Sequence, residues 1–448
     1  MEKERRLSYK YRIYPNKEQR RYFAVNFGCC RYVYNHFLNQ RIEAYRRTQA
    51  TLRRPVRDEE GKPVRNEKGK MVFEENANPD YDPAAKPMSF FDTSKALTAL
   101  KKSTVDEEGH KWLYDADANA LVYSLRNLEA AYQAFFRRVK SGAGKAGFPR
   151  FKSRKSRQSF KVAKCEVMEN RLSIPKCTPI KAKIDRMPDG EIVSATISRN
   201  AAGQYFCAVN VKEAALPDAP PAETEVGITM GITPWVVTTD GETFDRPNAD
   251  GKLAKKLARE QRRLSRKKPG SANYAKQRLK VARVQNRIAN VRWYKTHSLT
   301  RELVDEHGTI ASRNMGSQDM VKHKGKATRD LPKKVQRRMN QAIADGNFAE
   351  VNRQLAYKSE WAGRAFVELP QDAPTAQVCS KCGHRHTILA KDLRSEWTCP
   401  SCGAVHSRKL NGAVNVLEAG RDILFEQESA YVTKAMEAAR KAREEGQG

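Results

Sequence analysis

The sequence predicts an α+β chain of several domains: a helical lobe inserted in a small β-barrel, then an α/β domain with a four-cysteine insert near its end. Three observations predict it. Polar–apolar alternation opens the chain at Leu7, Tyr9, Tyr11 and Ile13 and returns in short segments between residues 159 and 211, the period-two mark of strands. Stretches with helical periodicity lie between them and again from 252 to 303. Two C-x-x-C pairs, Cys379/Cys382 and Cys399/Cys402, stand near the C-terminal end.

At 448 residues the chain has room for about three domains. Its 84 Lys and Arg against 52 Asp and Glu leave a formal charge of +32. Such an excess calls for a polyanionic partner, nucleic acid above all; an ordinary solvated surface mixes the two signs more evenly. No apolar run reaches the length of a membrane span, and MEKERRLSYK has no secretory core. Cys29, Cys30, Cys165, Cys177 and Cys207 lack metal spacing and read as free, mostly buried thiols in a reducing compartment.

Residues 1–16 give the first barrel strand, which Pro15 ends. Residues 17–141 give the helical lobe. Phe23, Phe27, Cys30, Tyr34, Phe37 and Leu38 make one apolar stripe there, and Leu121, Leu125, Leu128, Tyr132, Phe135 and Val139 make another. Inside the lobe, residues 53–88 read as an irregular hairpin insert, because Val56–Lys62 recurs as Val64–Lys70 with Gly at the same place. Residues 142–215 give the barrel, entered through a flexible joint at 142–147. Just past the joint, Arg150, Lys152, Arg154, Lys155 and Arg157 are interleaved with Phe148 and Phe151. That mixture suits phosphate contact with base stacking.

A Pro/Ala-rich linker, 216–225, leads to the α/β domain at 226–374. Val226–Ile232, the Asp240-Gly241 turn and a return strand through Phe244 predict the opening hairpin of this domain's sheet. Residues 252–303 predict two antiparallel helices parted by Pro269-Gly270-Ser271, with Arg262, Arg263, Arg266, Lys267 and Lys268 at the tip. A helix pair this basic and this poor in acids is built to lie along phosphates. Gly308–Met315 is the next buried strand.

Residues 375–405 carry the four cysteines. Each C-x-x-C is followed by Gly, which suits a tight knuckle. Two disulfides or four buried thiols compete with a metal site. The spacing and the reducing setting favour a structural zinc with Cys379, Cys382, Cys399 and Cys402 as its four ligands. Residues 406–448 give a last helix and a disordered KAREEGQG end.

The segment His406–Asn415 resembles the last nuclease motif of transposon-encoded TnpB proteins and the compact type V CRISPR effectors related to them. That motif reads CG-x-x-x-D-R-D-x-N-A-A-x-N. Arg408, Asn411, Ala413 and Asn415 match; Ser407 and Lys409 stand where the two acids belong. Gly227, Ile228, Gly231 and Ile232 match the family's G-I-D-x-G-I, with Thr229 in place of Asp. Counting back from Met320 along E-[D/N]-L-x-x-x-x-M puts the expected Glu at Arg313, or at Ser312 if the register slides by one. YRIYPNKEQ, RYVYN and Leu355–Gly363 extend the likeness over nearly the whole chain.

The resemblance implies that the barrel is a wedge domain, the helices a recognition lobe and the second half a RuvC-like nuclease domain with an RNase H-like sheet. It implies a guide RNA and a double-stranded DNA target in the prokaryotic cytoplasm, at the nucleoid. The three metal-binding acids are replaced by Thr229, Arg313 and Lys409, so no catalytic Mg2+ is expected and the chain is expected to bind without cutting. Repression of transcription, or recruitment of a protein partner at guide-matched sites, is the expected output. The cations at 313 and 409 are expected to meet a phosphate directly. An active nuclease using displaced acids such as Asp240, Asp305 or Asp319, and a transposon relic that binds only RNA, remain open alternatives.

Overall fold

The computed structural model describes residues 5–56, 58–60, 63–66, 71–142, 147–155, 157–213, 222–248, 251–322, 331–386 and 395–445; the side chains of 5, 53–55, 213, 318 and 430–445 are outside the description. The joint at 142–147, most of the linker and parts of the hairpin insert fall largely outside the described residues. The chain divides into two compact units, residues 1–215 and 216–448.

The first unit is a seven-stranded antiparallel sheet with helices inserted after its first strand. In chain order its elements are β1 (Arg5–Ile13), α1 (Lys17–Arg47), β2 (Thr51–Pro55), β3 (Phe73–Ala77), α2 (Phe90–Ser103), α3 (Ala118–Lys140), β4 (Gln158–Val162), β5 (Glu166–Met168), β6 (Arg171–Ile174), β7 (Cys177–Lys183), β8 (Glu191–Arg199) and β9 (Tyr205–Glu213). The sheet runs β4-β8-β9-β1-β7-β6-β5. The first strand therefore lies inside it, paired with β9 from Arg5↔Glu213 to Ile13↔Tyr205. Helix α1 starts on a capping box in which Asn16 and Gln19 satisfy each other's backbone N–H. Its stripe then packs on β4: the Phe23 and Phe27 rings lie 5.8 and 5.5 Å from that of Phe160. The α3 stripe is shorter than its pattern predicts. Burial ends at Tyr132, while Val139 is exposed, because the helix outruns the surface it packs on. Within the insert, β2 and β3 form an antiparallel pair.

The second unit holds β10 (Glu225–Met230), β11 (Val236–Thr238), β12 (Thr243–Phe244), α4 (Lys252–Ser265), α5 (Ala272–Glu306), β13 (Thr309–Arg313), α6 (Ser317–Val321), α7 (Lys333–Gly346), α8 (Phe348–Trp361), β14 (Ala365–Leu369), β15 (Glu396–Thr398), β16 (Val405–Ser407) and α9 (Arg408–Glu445). Its main sheet is mixed, in the order β12-β11-β10-β13-β14; β10, β11 and β12 are antiparallel, and β13 and β14 run parallel to β10. The sequence reads one hairpin here, where the chain makes two. Pro234 cannot donate to a ladder, so the strand breaks at Gly231, whose N–H bonds Trp235 O at 2.8 Å, and resumes as β11. Helix α9 also runs on to Glu445, through the start of the segment expected to be disordered.

Alternation along the central strands assigns their two faces. Val226, Ile228 and Ile310 join Leu299, Leu303, Val351 and Leu355 in one core, on the side of α5 and α8. Ala311 joins Val416 and Leu417 of α9 on the other. Gly227 lets α9 come close: a Cβ there would run into the Ala413 carbonyl and lie 2.8 Å from Leu417 Cβ.

The basic helices α4 and α5 pack differently from their pattern. Leu253, Leu257, Leu264 and Leu279 are only half-buried, and the buried residue of α4 is Glu260. Its carboxylate accepts from Gln277 Nε2 of α5 at 2.8 Å and from Arg263 at 3.2 Å. A polar latch thus fixes the register of two helices with little apolar surface to share.

Gly227→Ala is expected to destabilise the second unit by about 1–3 kcal/mol or more, the usual cost of overpacking, since one obstructing atom is backbone. A denaturant midpoint unchanged from the parent would contradict this seating of α9.

Candidate metal centre and the adjoining strand ends

The two cysteine knuckles are built alike. Cys379 N–H bonds His384 O and Gly383 N–H bonds Cys379 O, both at 2.9 Å; Cys399 N–H bonds Ala404 O at 2.8 Å and Gly403 N–H bonds Cys399 O at 2.9 Å. Each turn closes through a left-handed residue, Gly383 (φ 73°) and Gly403 (φ 69°), a conformation glycine takes without penalty. The four Sγ atoms lie within 4.8 Å of one another. Cys379–Cys402 and Cys382–Cys399 are each 3.7 Å apart, close to the ~3.8 Å edge of a tetrahedron with ~2.3 Å metal–sulfur bonds. This is a four-cysteine cluster able to hold a metal ion. The sequence places a hairpin between the knuckles, but residues 387–394 lie outside the described set. The hairpin seen is β15–β16, wrapped around the second knuckle.

His406, which spacing does not reveal, sits across that hairpin from Trp397, with its Nε2 3.0 Å from Cys379 Sγ. Burial pushes its pKa down. A neutral imidazole there can donate one N–H to the thiolate, the kind of outer contact that tunes a metal site.

Two asparagines of α9 tie the cluster to the main sheet. Asn411 Nδ2 donates to Val378 O at 2.7 Å and its Oδ1 accepts from Ser380 N–H at 2.9 Å. Asn415 Nδ2 donates to Thr375 O and Val378 O, both at 2.7 Å. The motif asparagines hold the first knuckle to the helix.

Thr229 and Arg313 lie on the face of the sheet that α9 covers, and Lys409 comes from α9 itself. Gly227 and Ala311 are register partners facing α9. Two residues further on, the same alternation puts Thr229 and Arg313 on that face. Ser312, the other register considered for the acid, lies on the opposite face, fully buried, within 2.9 Å of Asn352 Oδ1 on α8. Arg313, unlike Ser312, therefore shares the face of Thr229. Thr229 Oγ1 is buried without a hydrogen-bond partner, and a Cβ on Gly412 would lie 3.1 Å from it. The Lys409 ammonium donates to Pro234 O and lies 2.8 Å from where a Gly231 Cβ would stand. Burial lowers its pKa to about 8. Arg313 is half-buried, its Nη1 donating to Ala373 O at 3.1 Å. Burial lowers its pKa as well.

The remaining residues predicted to touch nucleic acid divide. Arg150, Arg154, Lys155 and Arg157 are exposed in the first unit, but Lys152 is half-buried with its ammonium 4.0 Å from the Tyr34 ring. Phe148, though 38% exposed, packs edge-on against Tyr132 and Phe135, at 5.5 and 5.2 Å, so it joins the lobe's own aromatic cluster; Phe151 is 53% exposed. In the second unit Arg262, Arg263, Arg266, Lys267 and Lys268 are all exposed.

Family profiles match three stretches: a helix-turn-helix domain at residues 1–50, a "Probable transposase" at 204–324 and a "Cas12f1-like, TNB domain" at 348–416. Residues 17–47 form one continuous helix rather than two helices about a turn. A Streptomyces pristinaespiralis protein described as "Putative RNA-guided DNA endonuclease" is 32% identical over 419 residues, 92% of this chain and 89% of its own. An Escherichia coli K12 relative described as "Putative RNA-guided DNA endonuclease InsQ" is 28% identical over 93% of both chains. A solved Cas12f1–sgRNA–target DNA complex aligns over 92% of this chain at 12% identity and a TM-score of 0.40, too loosely to carry an argument. The chain belongs to the TnpB-like family of RNA-guided DNA endonucleases and their relatives.

His406→Ala is expected to weaken metal binding about 10–100-fold, read by competition with a chromophoric chelator. An affinity equal to the parent's would mean the His406–Cys379 contact does not tune the cluster. Lys409 gives a pH prediction. Its folded pKa of about 8 lies below the ordinary lysine value of 10.5. Between the two the unfolded chain holds the extra proton, so folding stability from this group rises with pH across that window. Lys409→Met is expected to flatten that rise in denaturant midpoints measured from pH 8 to 10; an unaltered slope would contradict it.

Proposed function

We propose that this chain is an RNA-guided DNA-binding protein that occupies matched sites without cutting them. The observation that carries the reading is the chemistry gathered at the strand ends. Two-metal hydrolysis of a phosphodiester needs carboxylates to hold hard Mg2+ ions. Thr229, Arg313 and Lys409 supply one enclosed hydroxyl and two cations. Replacing three acids in this way moves the formal charge from −3 to +2. Unit charges about 4 Å apart interact by roughly 4 kcal/mol at an effective dielectric near 20, so these residues do not fit a Mg2+ pair. Among the described residues, the one group of three or more His, Cys, Asp or Glu side chains close enough to share an ion is the four-cysteine cluster.

In this reading the first unit is the wedge with its inserted recognition lobe, and the second is a RuvC-like domain stripped of its acids. Zinc is the metal of the four cysteines: thiolates at tetrahedral spacing suit it, and with every position filled by protein its role is structural. Guide RNA and a DNA duplex are the partners. Base pairing supplies specificity, while the basic surfaces hold the backbones. A protein that stays bound without cutting can block a polymerase or recruit a partner. A second reading, an active nuclease, is favoured by the description of the relatives as endonucleases. Of the displaced acids it would call on, Asp240 lies at the turn after β11, and Asp305 is exposed and paired with Arg301 at 3.1 Å.

Purified protein is expected to carry a discrete RNA and to shift a duplex matched to it, leaving that duplex intact with Mg2+ or Mn2+. Metal-dependent nicking abolished by changing Asp240, Asp305 or Asp319 would establish the nuclease instead. Tight RNA binding with no duplex shift would leave only the RNA-binding relic.

A further inference from the structure

A cleft of about 310 Å³ opens beside the end of β13. Arg313 comes from the strand, Arg385 from the first knuckle and Arg408 from the first turn of α9, while Asp372 is the acidic residue among its described lining. Three guanidiniums against one carboxylate leave a formal +2. Arg313 is the most constrained of them. It has given up much of its water, and among the described residues its side-chain hydrogen bond is to a backbone carbonyl, which brings no opposite charge. A guanidinium carries five N–H donors, so among the described residues most of its hydrogen-bonding capacity meets no acceptor. Lys409, expected from the sequence to share a ligand with Arg313, is not part of this lining; its ammonium rests on Pro234.

We propose that the cleft walled by Arg313, Arg385 and Arg408 holds a phosphodiester of a single nucleic-acid strand. Planar guanidinium forks match phosphate oxygens two at a time. The volume seats one phosphate with its sugar, so the contact is with the backbone of one strand. The exposed cations at 262–268 suit a long polyanion better than an isolated carboxylate. The α9 N-terminal end adds partial positive charge from its backbone N–H groups. The proposal rests on the reading above that the chain handles nucleic-acid strands, and it holds whether or not a strand is cut. A position that in the family carries an acid thus becomes a direct anchor for the backbone.

The test uses the full chain and labelled single-stranded DNA and RNA of one sequence, titrated by anisotropy across a salt series without added Mg2+. Lys334→Ala on α7 sets the effect of losing any exposed charge. Arg385→Ala is expected to bind at least one strand three- to tenfold more weakly than that control, with the salt slope reduced by about 0.7. Arg313→Lys, which keeps the charge and loses the fork, is expected to weaken the same strand at least threefold. Lys409→Met is expected to track the control. The arm that responds, DNA or RNA, identifies the strand. Arg385 is exposed, so its variant decides the matter even if Arg313→Lys fails to fold. If Arg385→Ala tracks the control with both strands, the proposal is overturned. Cleavage assayed in the same samples with Mg2+ tests the non-cutting reading separately, because nicking would overturn that reading and leave the arginine result standing.

Discussion

The close seat of α9 on the central strands is the constraint on which the second unit depends. Where the helix crosses the sheet it meets Gly227 and Ala311, and a Cβ at position 227 would strike its backbone. With no side chain between them, the first turn of α9 reaches the ends of β10 and β13. It brings Lys409 to Gly231 and Gly412 to the Thr229 hydroxyl. The same turns then present Asn411 and Asn415 to the first cysteine knuckle. One helix therefore packs against the strand ends and carries the four-cysteine cluster beside them. Distortion at the sheet would be felt at the cysteines through four hydrogen bonds.

Within that frame the three positions at which the family motif carries acids are filled in three different ways. Thr229 is enclosed, with a neutral hydroxyl that goes unpaired. An orphaned hydroxyl costs about 1–3 kcal/mol, tolerable where an unpaired carboxylate would not be. Lys409 folds back onto a carbonyl, and its lowered pKa reflects the water it has lost without gaining a carboxylate. Arg313 alone keeps a face on an open cleft. The two cations are thus separated in role by where their heads lie, although residue counting gives them the same sign.

Much of this was legible in the sequence, for identifiable reasons. Period-two alternation at residues 7–13 marks a strand whichever strand it pairs with, and the knuckle glycines follow from the C-x-x-C-G pattern. What the pattern cannot carry is the direction of a long side chain. Phe148 and Phe151 read alike among cations and both are exposed, yet Phe148 also packs edge-on against Tyr132. Lys152 belongs to a basic run and still settles over Tyr34. Glu260 reads as one acid on a basic helix and proves to be its buried latch. His406 shows no ligand spacing, because its place against Cys379 comes from cross-strand pairing with Trp397. In each case the deciding contact is long-range or rotameric, and neither leaves a period in the chain.

Charge then decides what this architecture can still do. A site that gathers carboxylates repels a phosphate backbone unless metal ions sit between them, so it engages its strand through Mg2+. In the proposed reading, arginine at the end of β13 and two more arginines on the adjoining wall reverse the sign of the site and attract the backbone without an intermediary. Attraction of that kind strengthens the bound ground state and offers nothing to activate water or steady a leaving oxygen. Added ground-state affinity without transition-state help makes a strand stay longer and leaves it whole. In the proposed reading, Thr229, Arg313 and Lys409 therefore favour residence on the nucleic acid over its hydrolysis.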